Sequence, residues 1–257
     1  MKFFFKSILI IICVLVTSKV SAFSNTPIAK KYEVPILVYH SIGPVPKIKE
    51  SKMQTHYRVT TENFEKQMQF LKDNGYQPIT FKKLVNSFNN YVMKLPEKSV
   101  VITFDDGWKN QYDNARPILE KYNFSATFFI TTGYVNYKAY MNWDDLKYLS
   151  NHNFEIASHT KSHQVSTKIH FDKLQSELAE SKKILENKLG IKISTLAYPN
   201  YAENEVVHQV VKTAGYFGAR GGWANFKNGK DHIYELKSQE VVNNPDPFSE
   251  KRLPDLP

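Results

Sequence analysis

The stretch SVVITFDDG at residues 99–107 decides the fold, because it joins an apolar run directly to two adjacent carboxylates and a glycine. The run Ser99–Phe104 is short, rich in β-branched and aromatic residues, and apolar on both sides. Such a run is typical of a strand buried within a parallel sheet. Five further runs have the same character: Pro35–His40, Ala126–Thr131, Phe154–Ser158, Ser194–Tyr198 and Tyr216–Ala219.

Helical patterns separate these runs. In the first helix Thr61 can serve as the cap, Phe64, Met68 and Leu71 share one face, and Gly75 marks the end. Four more helices are predicted: about Tyr112–Tyr122, Asn142–Leu149 with Asn142 as N-cap, Phe171–Leu189, and Glu203–Ala214. Strands that alternate with helices predict an α/β fold with a parallel sheet, and their spacing leaves open whether the sheet closes into a barrel.

The segment after Trp223 differs from this alternation. Asn225–Lys237 is polar, and Asn243–Pro257 contains four prolines. Both features indicate an irregular cap or a wrap over the surface.

The composition is that of a globular protein, with 42% hydrophobic and 23% charged residues, and it excludes a wholly disordered chain. With 257 residues the chain is long enough for one domain with a full core. The formal charge of +9 suggests an anionic partner, such as nucleic acid or an envelope surface. No basic stripe accompanies the charge, so nucleic-acid binding is the weaker interpretation.

Residues 1–22 have the pattern of a secretory signal peptide, followed by one domain over residues 23–257. Lys2 and Lys6 are basic, Ile8–Val16 is apolar but short for a membrane span, and Val20-Ser21-Ala22 supplies a small-residue cleavage site. The alternative is an uncleaved anchor helix. Cleavage after Ala22 leaves 31 basic and 25 acidic residues, a balance of +6, because Lys2, Lys6 and Lys19 are removed. We therefore expect an exported protein that is periplasmic, secreted or held at the cell surface.

Cleavage also removes Cys13, the single cysteine. The mature chain then has no thiol for a nucleophile, a disulfide or a metal ligand. Any metal must be bound by His, Asp or Glu side chains.

Chemically active side chains follow the carboxyl ends of the predicted strands. In a parallel α/β fold these ends share one edge, where function gathers. They bring His40, two aspartates and two histidines together, and they add Pro199-Asn200. Two adjacent carboxylates at the end of a buried strand repel each other, which a cation would relieve, although a lone Asp-Asp pair is more often two loop acids, one of which caps the next helix. Asp106 with His159 and His163 would give one oxygen and two nitrogens, the ligand pattern of catalytic zinc.

TFDDG at Thr103–Gly107 with SHTKSH at Ser158–His163 resembles the polysaccharide deacetylase family, also called carbohydrate esterase family 4 or the NodB-homology domain. The resemblance runs over about residues 32–236, the core of the mature chain. PILVYHSI and VTTENFEKQMQFLKDNGYQPIT are similar to the subgroup that includes poly-β-1,6-N-acetylglucosamine deacetylases. It implies a deformed (β/α)7 barrel whose strand order is permuted in this subgroup.

The resemblance also implies roles for individual residues. Asp105 matches the general base, and Asp106, His159 and His163 match the ligands of a divalent metal, most often Zn²⁺, with Ni²⁺, Co²⁺ or Fe²⁺ as alternatives. Asn200 stands where a backbone N–H of the family forms part of an oxyanion hole. The remaining substrate-site candidates lie nearby: Tyr198, Pro199 and Trp108.

Two family residues are missing from their usual positions. LAYPNY carries no arginine in the third motif, and LPDLP offers no histidine near the C-terminus. Arg220 is the candidate for the first role. His40 is the candidate for the second, the general acid, against the alternative of a buried structural histidine.

The predicted reaction is metal-assisted removal of N-acetyl groups from an N-acetylglucosamine-containing polysaccharide, either an exopolysaccharide or peptidoglycan. Alternatives are an O-acetyl esterase on a glycan and a glycan-binding protein that has lost turnover. We expect a monomer with a glycan substrate and no nucleic-acid partner, associated peripherally with the envelope or with a polysaccharide synthesis complex. Six aromatic residues near the predicted site are candidates for stacking on sugars: Tyr39, Trp108, Tyr134, Trp143, Tyr198 and Trp223.

Overall fold

A computed structural model describes residues 31–32, 34–44, 57–90, 93–223, 228–244 and 247. The predicted signal peptide with Cys13, most of the predicted proline-rich tail and the side chain of Trp223 lie outside the described residues. Among the described helices, none is both long and apolar enough to cross a lipid bilayer.

Helices and strands alternate as the sequence predicts. The described strands are β1 Lys31–Tyr32, β2 Ile36–Tyr39, β3 Ser41–Ile42, β4 Arg58–Val59, β5 Gln77–Ile79, β6 Ser99–Phe104, β7 Ala126–Ile130, β8 Phe154–Ser158, β9 Thr195–Ala197, β10 Gly218–Trp223, β11 Asn228–Gly229 and β12 Leu236–Glu240. The described α-helices are α1 Thr61–Asp73, α2 Phe81–Asn89, α3 Arg116–Lys121, α4 Trp143–Ser150, α5 Phe171–Leu189 and α6 Glu205–Thr213.

The main sheet is parallel and closes into a seven-stranded barrel. Its order is β2-β12-β10-β9-β8-β7-β6, and β6 pairs back with β2 through the register Ile36↔Val101 to Tyr39↔Phe104. β5 adds to the first half of β6. The barrel confirms the predicted α/β fold and settles the choice between barrel and open sheet. The first barrel strand of the chain, β2, lies between the last one, β12, and the second one, β6, which closes the barrel.

The barrel strands are buried on both faces because alternate side chains enter two different apolar clusters. Val100, Ile102 and Phe104 pack outward against the helices, whereas Val101 lies in a second cluster with residues from five other barrel strands. That second cluster is the barrel interior. It also contains four side chains of α2: Phe81, Leu84, Val85 and Phe88.

Helix α2 closes the end of the barrel opposite the carboxyl ends of the strands. Its Val85 approaches the first residue of β10 so closely that a Cβ on Gly218 would lie 2.7 Å from Val85 Cγ2. Only glycine fits at this contact. The sequence analysis did not predict α2 or β5.

Three further predictions need correction. The N-cap of α1 is Thr60, whose side chain accepts from the backbone N–H of Asn63, and the predicted Thr61 is the first helical residue. The helix predicted over about Tyr112–Tyr122 begins as a π-helical turn, Gln111–Ala115, before α3. Pro117 has no backbone N–H, so it cannot donate the hydrogen bond that would continue a regular α-helix from the preceding turn.

The third correction concerns the end of the chain. Leu236–Glu240 was predicted to belong to an irregular cap, but it forms the barrel strand β12 between β10 and β2. Leu236, Ser238 and Glu240 point inward and are buried, while Lys237 and Gln239 are half-buried. The strand therefore extends past residue 236, the predicted end of the core.

Other boundaries agree with the sequence. Asn142 caps α4 through a capping box in which Asn142 and Asp145 exchange side chain-to-backbone hydrogen bonds. α5 spans the predicted Phe171–Leu189 and ends at Gly190, which adopts the left-handed conformation.

Candidate active site

The carboxyl ends of the barrel strands bring the predicted residues together. Asp105 directly follows β6 and is almost fully buried, and its backbone N–H donates to the carbonyl of Tyr39 at the end of β2. Asp106 follows in the left-handed conformation, with φ 73°. This turn lets the two adjacent carboxylates point to different partners.

Asp105 pairs with Arg220, a fully buried residue of β10. Nη2 of Arg220 donates to Oδ2 of Asp105, and Nη1 lies 3.4 Å from the hydroxyl of Ser238. Burial lowers the pKa of the guanidinium, but the charge of Asp105 outweighs this and raises it. Arg220 is thus charged, and it holds Oδ2 of Asp105 while Oδ1 accepts no hydrogen bond from the described residues.

Asp106, His159 and His163 form a cluster whose potential ligand atoms all lie within 4.8 Å of one another. Oδ1 of Asp106 is 3.5 Å from Nε2 of His159 and 3.2 Å from Nε2 of His163. Tetrahedral bonds of about 2.0–2.1 Å to one zinc ion would set ligand atoms roughly 3.3–3.4 Å apart. The donor types and their spacing therefore fit a divalent ion, with room for a fourth ligand.

Neighbouring groups orient these ligands. Nδ1 of His159 lies 2.9 Å from the carbonyl of Ala197, which leaves Nε2 facing the cluster. The indole N–H of Trp108 donates to Oδ2 of Asp106 over 2.8 Å. Burial raises the pKa of the Asp106 carboxyl, but the hydrogen bonds to His159 and His163 outweigh it and hold that pKa well below its ordinary value.

Helix α5 holds the loop between the two histidines. Thr160 and His163 both have positive φ, so this loop is tightly turned. Glu177, a buried residue of α5, accepts hydrogen bonds from the backbone N–H of Ser162 at 2.7 Å and from its hydroxyl at 2.6 Å. The backbone N–H of His163 donates to the hydroxyl of Thr160. The position of His163 thus depends on Glu177, a carboxylate that is not one of the three candidate ligands.

His40 lies beside Asp105 at the end of β2. Its Nε2 is 3.9 Å from Oδ2 of Asp105, and its Nδ1 is 2.7 Å from Oε1 of Glu240. Burial lowers the pKa of the His40 imidazole, but the charges of Glu240, Asp105 and Asp106 outweigh it and raise that pKa to about 9. His40 is therefore a cation at neutral pH, with Nε2 directed toward the base.

Glu240 is the site residue that the sequence analysis missed. It is buried at the end of β12, and the hydroxyl of Tyr201 donates to its second oxygen. In the sequence LKSQE only Leu236 is apolar, so no alternation of apolar and polar residues indicated this strand.

A cleft opens beside these groups. It has a volume of about 530 Å³, and its walls include His40, Tyr57, Asp106, Trp108 and Lys109. The cleft gives solvent and a ligand access to His40 and to the metal-type cluster, which is the group of Asp106, His159 and His163.

The aromatic residues predicted to stack on sugars differ in how deeply the structure buries them. Tyr39 and Tyr198 are buried, and their hydroxyls donate to Gln67 and to the carbonyl of Tyr234. Trp143 packs against the core at the start of α4. The rings of Tyr39 and Tyr198 are enclosed in the core and cannot stack on a ligand, so the prediction is wrong for these two, whereas Trp143 is half-buried. Trp108 and Tyr134 remain half-buried near the cluster.

The PN segment follows β9 at the same end of the barrel. Pro199 is buried, while Asn200 is exposed and has a positive φ of 52°. The backbone of Asn200 stays a candidate for the oxyanion donor.

Residues 93–219 match the family model described as polysaccharide deacetylase. This chain belongs to the polysaccharide deacetylase family. It is 33% identical over 187 residues to YxkH of Bacillus subtilis, whose name assigns it provisionally to the polysaccharide deacetylases; the match covers 73% of this chain and 63% of that protein. It is 32% identical over 179 residues to the poly-β-1,6-N-acetyl-D-glucosamine N-deacetylase of Staphylococcus aureus, covering 64% and 61%. The chain thus spans less than two thirds of the length of these relatives.

Solved structures of this deacetylase family share the fold. A Streptococcus pyogenes deacetylase in complex with acetate superposes with a TM-score of 0.75 at 25% identity, covering 85% of this chain and 96% of that one. A Bacillus cereus polysaccharide deacetylase gives 0.72 at 27% identity, covering 86% and 68%. The NodB-like (β/α)7 barrel expected from the resemblance is confirmed.

Proposed function

We propose that this protein is a metal-dependent deacetylase that removes N-acetyl groups from an N-acetylglucosamine-containing polysaccharide and releases acetate. The observation that carries the proposal is the juxtaposition of the Asp105–Arg220 pair, the three-residue cluster and His40 at one cleft. A base, a cation site and an acid within one cleft are the parts that amide hydrolysis needs.

Asp106, His159 and His163 would bind the ion, with Zn²⁺ the best match to two imidazole nitrogens and one carboxylate oxygen. A bound ion would polarise the acetamide carbonyl as a Lewis acid. Nickel, cobalt and iron accept the same ligands, so the donor set favours zinc without excluding them.

Asp105 and His40 would carry out the proton transfers of the reaction. Oδ1 of Asp105 takes a proton from a water molecule while the oxygen of that water bonds to the carbonyl carbon of the acetamide. His40 gives the proton on Nε2 to the amide nitrogen, and the carbon–nitrogen bond breaks. Overall, one amide and one water become acetate and an ammonium group. Asp105 then loses its proton to solvent and His40 regains one from solvent, which restores the starting state.

Arg220 and His40 also bear on the rival interpretation of a glycan-binding protein without turnover. That interpretation rests on the missing motif arginine and terminal histidine. Arg220 donates a hydrogen bond to Oδ2 of the candidate base, Asp105, and Nε2 of His40 is 3.9 Å from the same oxygen. Both contacts favour turnover, because binding alone does not need an oriented base.

The substrate class rests on the family and on the relatives. A protein with 32% identity is named for poly-β-1,6-N-acetyl-D-glucosamine, so we propose a glucosamine-based exopolysaccharide first and peptidoglycan second. We further propose that the chain is exported through residues 1–22 and works as a monomer, associated peripherally with the envelope or a polysaccharide synthesis complex.

Acetate release tests the proposal. Purified protein lacking residues 1–22 is incubated with β-1,6- and β-1,4-linked N-acetylglucosamine pentamers, with peptidoglycan and with an O-acetylated glycan. We expect acetate from an N-acetylated polymer and none from Asp105→Asn. Release from the ester substrate alone would replace the proposal with an O-acetyl esterase, and sugar binding without acetate from any substrate would replace it with a binding protein.

A further inference from the structure

Four aromatic side chains form a continuous row that starts at the metal-type cluster and ends in solvent. We call this row the aromatic ridge: Trp108, Tyr140, Tyr134 and Tyr137. The ring of Trp108 stacks on Tyr140 at 4.3 Å, Tyr140 lies 4.9 Å from Tyr134, and Tyr134 lies 6.2 Å from Tyr137. Because the Trp108 indole donates to Asp106, the ridge is continuous with the candidate active site.

The ridge becomes more exposed along its length. Trp108, Tyr140 and Tyr134 are half-buried, whereas Tyr137 has 61% of its surface exposed. A contiguous row of partly exposed aromatic rings beside polar groups is typical of a ligand-binding groove. The negative charge of Asp106 contributes to the raised pKa of Tyr134 and Tyr140 after burial, which places both hydroxyls within its field.

The backbone beneath the ridge is fixed on both sides. Toward β6, the N–H of Met141 donates to Gly107 and that of Lys109 donates to Ala139. Toward the histidine loop, the N–H of Gly133 donates to the carbonyl of Lys161 over 2.8 Å, and a Cβ at Gly133 would lie 2.6 Å from that oxygen. The backbone that carries the rings is therefore held in place before any ligand arrives, which lowers the conformational entropy lost on binding.

We infer that the aromatic ridge binds the sugar units that flank the reacting N-acetylglucosamine, so that it selects a polymer over a single sugar. The inference rests on the proposed function. A pyranose presents apolar C–H faces and a rim of hydroxyls, and tyrosine offers a matching apolar face and polar tip.

Chain-length dependence tests the ridge. In Tyr137→Ala we expect KM for N-acetylglucosamine pentamers to rise about three- to tenfold. Hydrolysis of a small aryl acetate should be unchanged, because that substrate is too short to reach the ridge. Tyr137→Phe should keep the wild-type KM, since the ring face remains. Phe217→Ala is the matched control, an exposed aromatic (57%) just before β10, at the opposite end of the barrel.

A second readout separates this inference from the proposed function. Binding of β-1,6- and β-1,4-linked pentamers to metal-free protein is followed by calorimetry, which needs no turnover. Weaker binding of either pentamer to Tyr137→Ala but not to Phe217→Ala supports the ridge even if no acetate is ever released. Equal pentamer affinity and equal KM in Tyr137→Ala and wild type would overturn it, and an active wild type would leave the proposed function intact.

Discussion

The guanidinium of Arg220 donates a hydrogen bond to Oδ2 of Asp105 from a position 115 residues further along the chain. Both side chains are almost fully buried, and the rings of Phe129 and Tyr201 lie 5.3 Å from the guanidinium carbon. An ion pair in such surroundings has one geometry, so the arginine fixes which oxygen of Asp105 remains free.

Arg220→Met should therefore impair both stability and catalysis. Removing one partner of a buried pair leaves an uncompensated charge, which costs about 3–5 kcal/mol in the free energy of unfolding. We expect kcat for acetate release to fall on the order of 100-fold, since the base is no longer oriented. Urea unfolding and steady-state kinetics measure the two effects.

The double variant Arg220→Met with Asp105→Asn is the control for this prediction. If the residues act as a pair, the double variant should be more stable than Arg220→Met alone, because no unpaired carboxylate remains. Strictly additive losses of stability would contradict a direct interaction.

The His40–Glu240 pair predicts an alkaline limit to activity. A general acid works while it is protonated, and the pKa of His40 is raised to about 9 by Glu240, Asp105 and Asp106 against the effect of burial. The rate should therefore hold through neutral pH and fall as pH rises through about 9. Glu240→Gln removes the charge 2.7 Å from Nδ1, so its fall should occur at lower pH.

The pH profile of kcat checks this assignment. Glu203→Gln is a suitable control, since Glu203 pairs with His208 away from the cluster. An alkaline limb at the same pH in Glu240→Gln and wild type would contradict the role given to the pair.

Glu177 should control metal affinity without taking part in proton transfer. It anchors the loop that carries His163 through two hydrogen bonds to Ser162. Glu177→Gln should weaken zinc binding about 10-fold or more, as is typical when a group that orients a ligand is lost. Competition with a chromogenic chelator measures the affinity, and saturating zinc should restore kcat.

The neighbouring Glu180 provides the matched control. It lies on the same helix and pairs with Lys161 of the same loop, but both side chains are more than 40% exposed. Exposed pairs contribute little, so Glu180→Gln should bind zinc like the wild type. An equal loss in both variants would mean that the loop responds to helix charge rather than to the buried anchor.

Much of this site was predictable from the sequence, because the carboxyl ends of parallel strands must share one edge. That rule alone groups His40, Asp105, Asp106, His159 and His163. The TFDDG and SHTKSH motifs then identify the family. The sequence offers Arg220 as a candidate, but its contact with Asp105 depends on the register of β10, which sequence spacing does not supply.

Other features of the fold and the site were not predicted correctly from the sequence, for physical reasons. Glu240 lies on a strand whose lysine, glutamine and glutamate hide its alternation, so the strand resembles a polar loop. Tyr39 and Tyr198 belong to strands buried on both faces, and side-chain direction at a strand end is decided by packing that a sequence does not show. Helix α2 is only nine residues long and packs through Phe81, Leu84, Val85 and Phe88 as the floor of the barrel.

Zinc titration of metal-free protein tests the central claim most directly, because it links the three-residue cluster to turnover. Protein stripped with chelator is titrated with Zn²⁺ while acetate release from the preferred polymer is measured. We predict negligible release without metal, a rate that rises linearly and a plateau at about one ion per chain. In His163→Gln the rate of acetate release should reach its plateau only at a much higher zinc concentration. Full activity in protein stripped of metal, or a plateau unrelated to this cluster, would contradict the account.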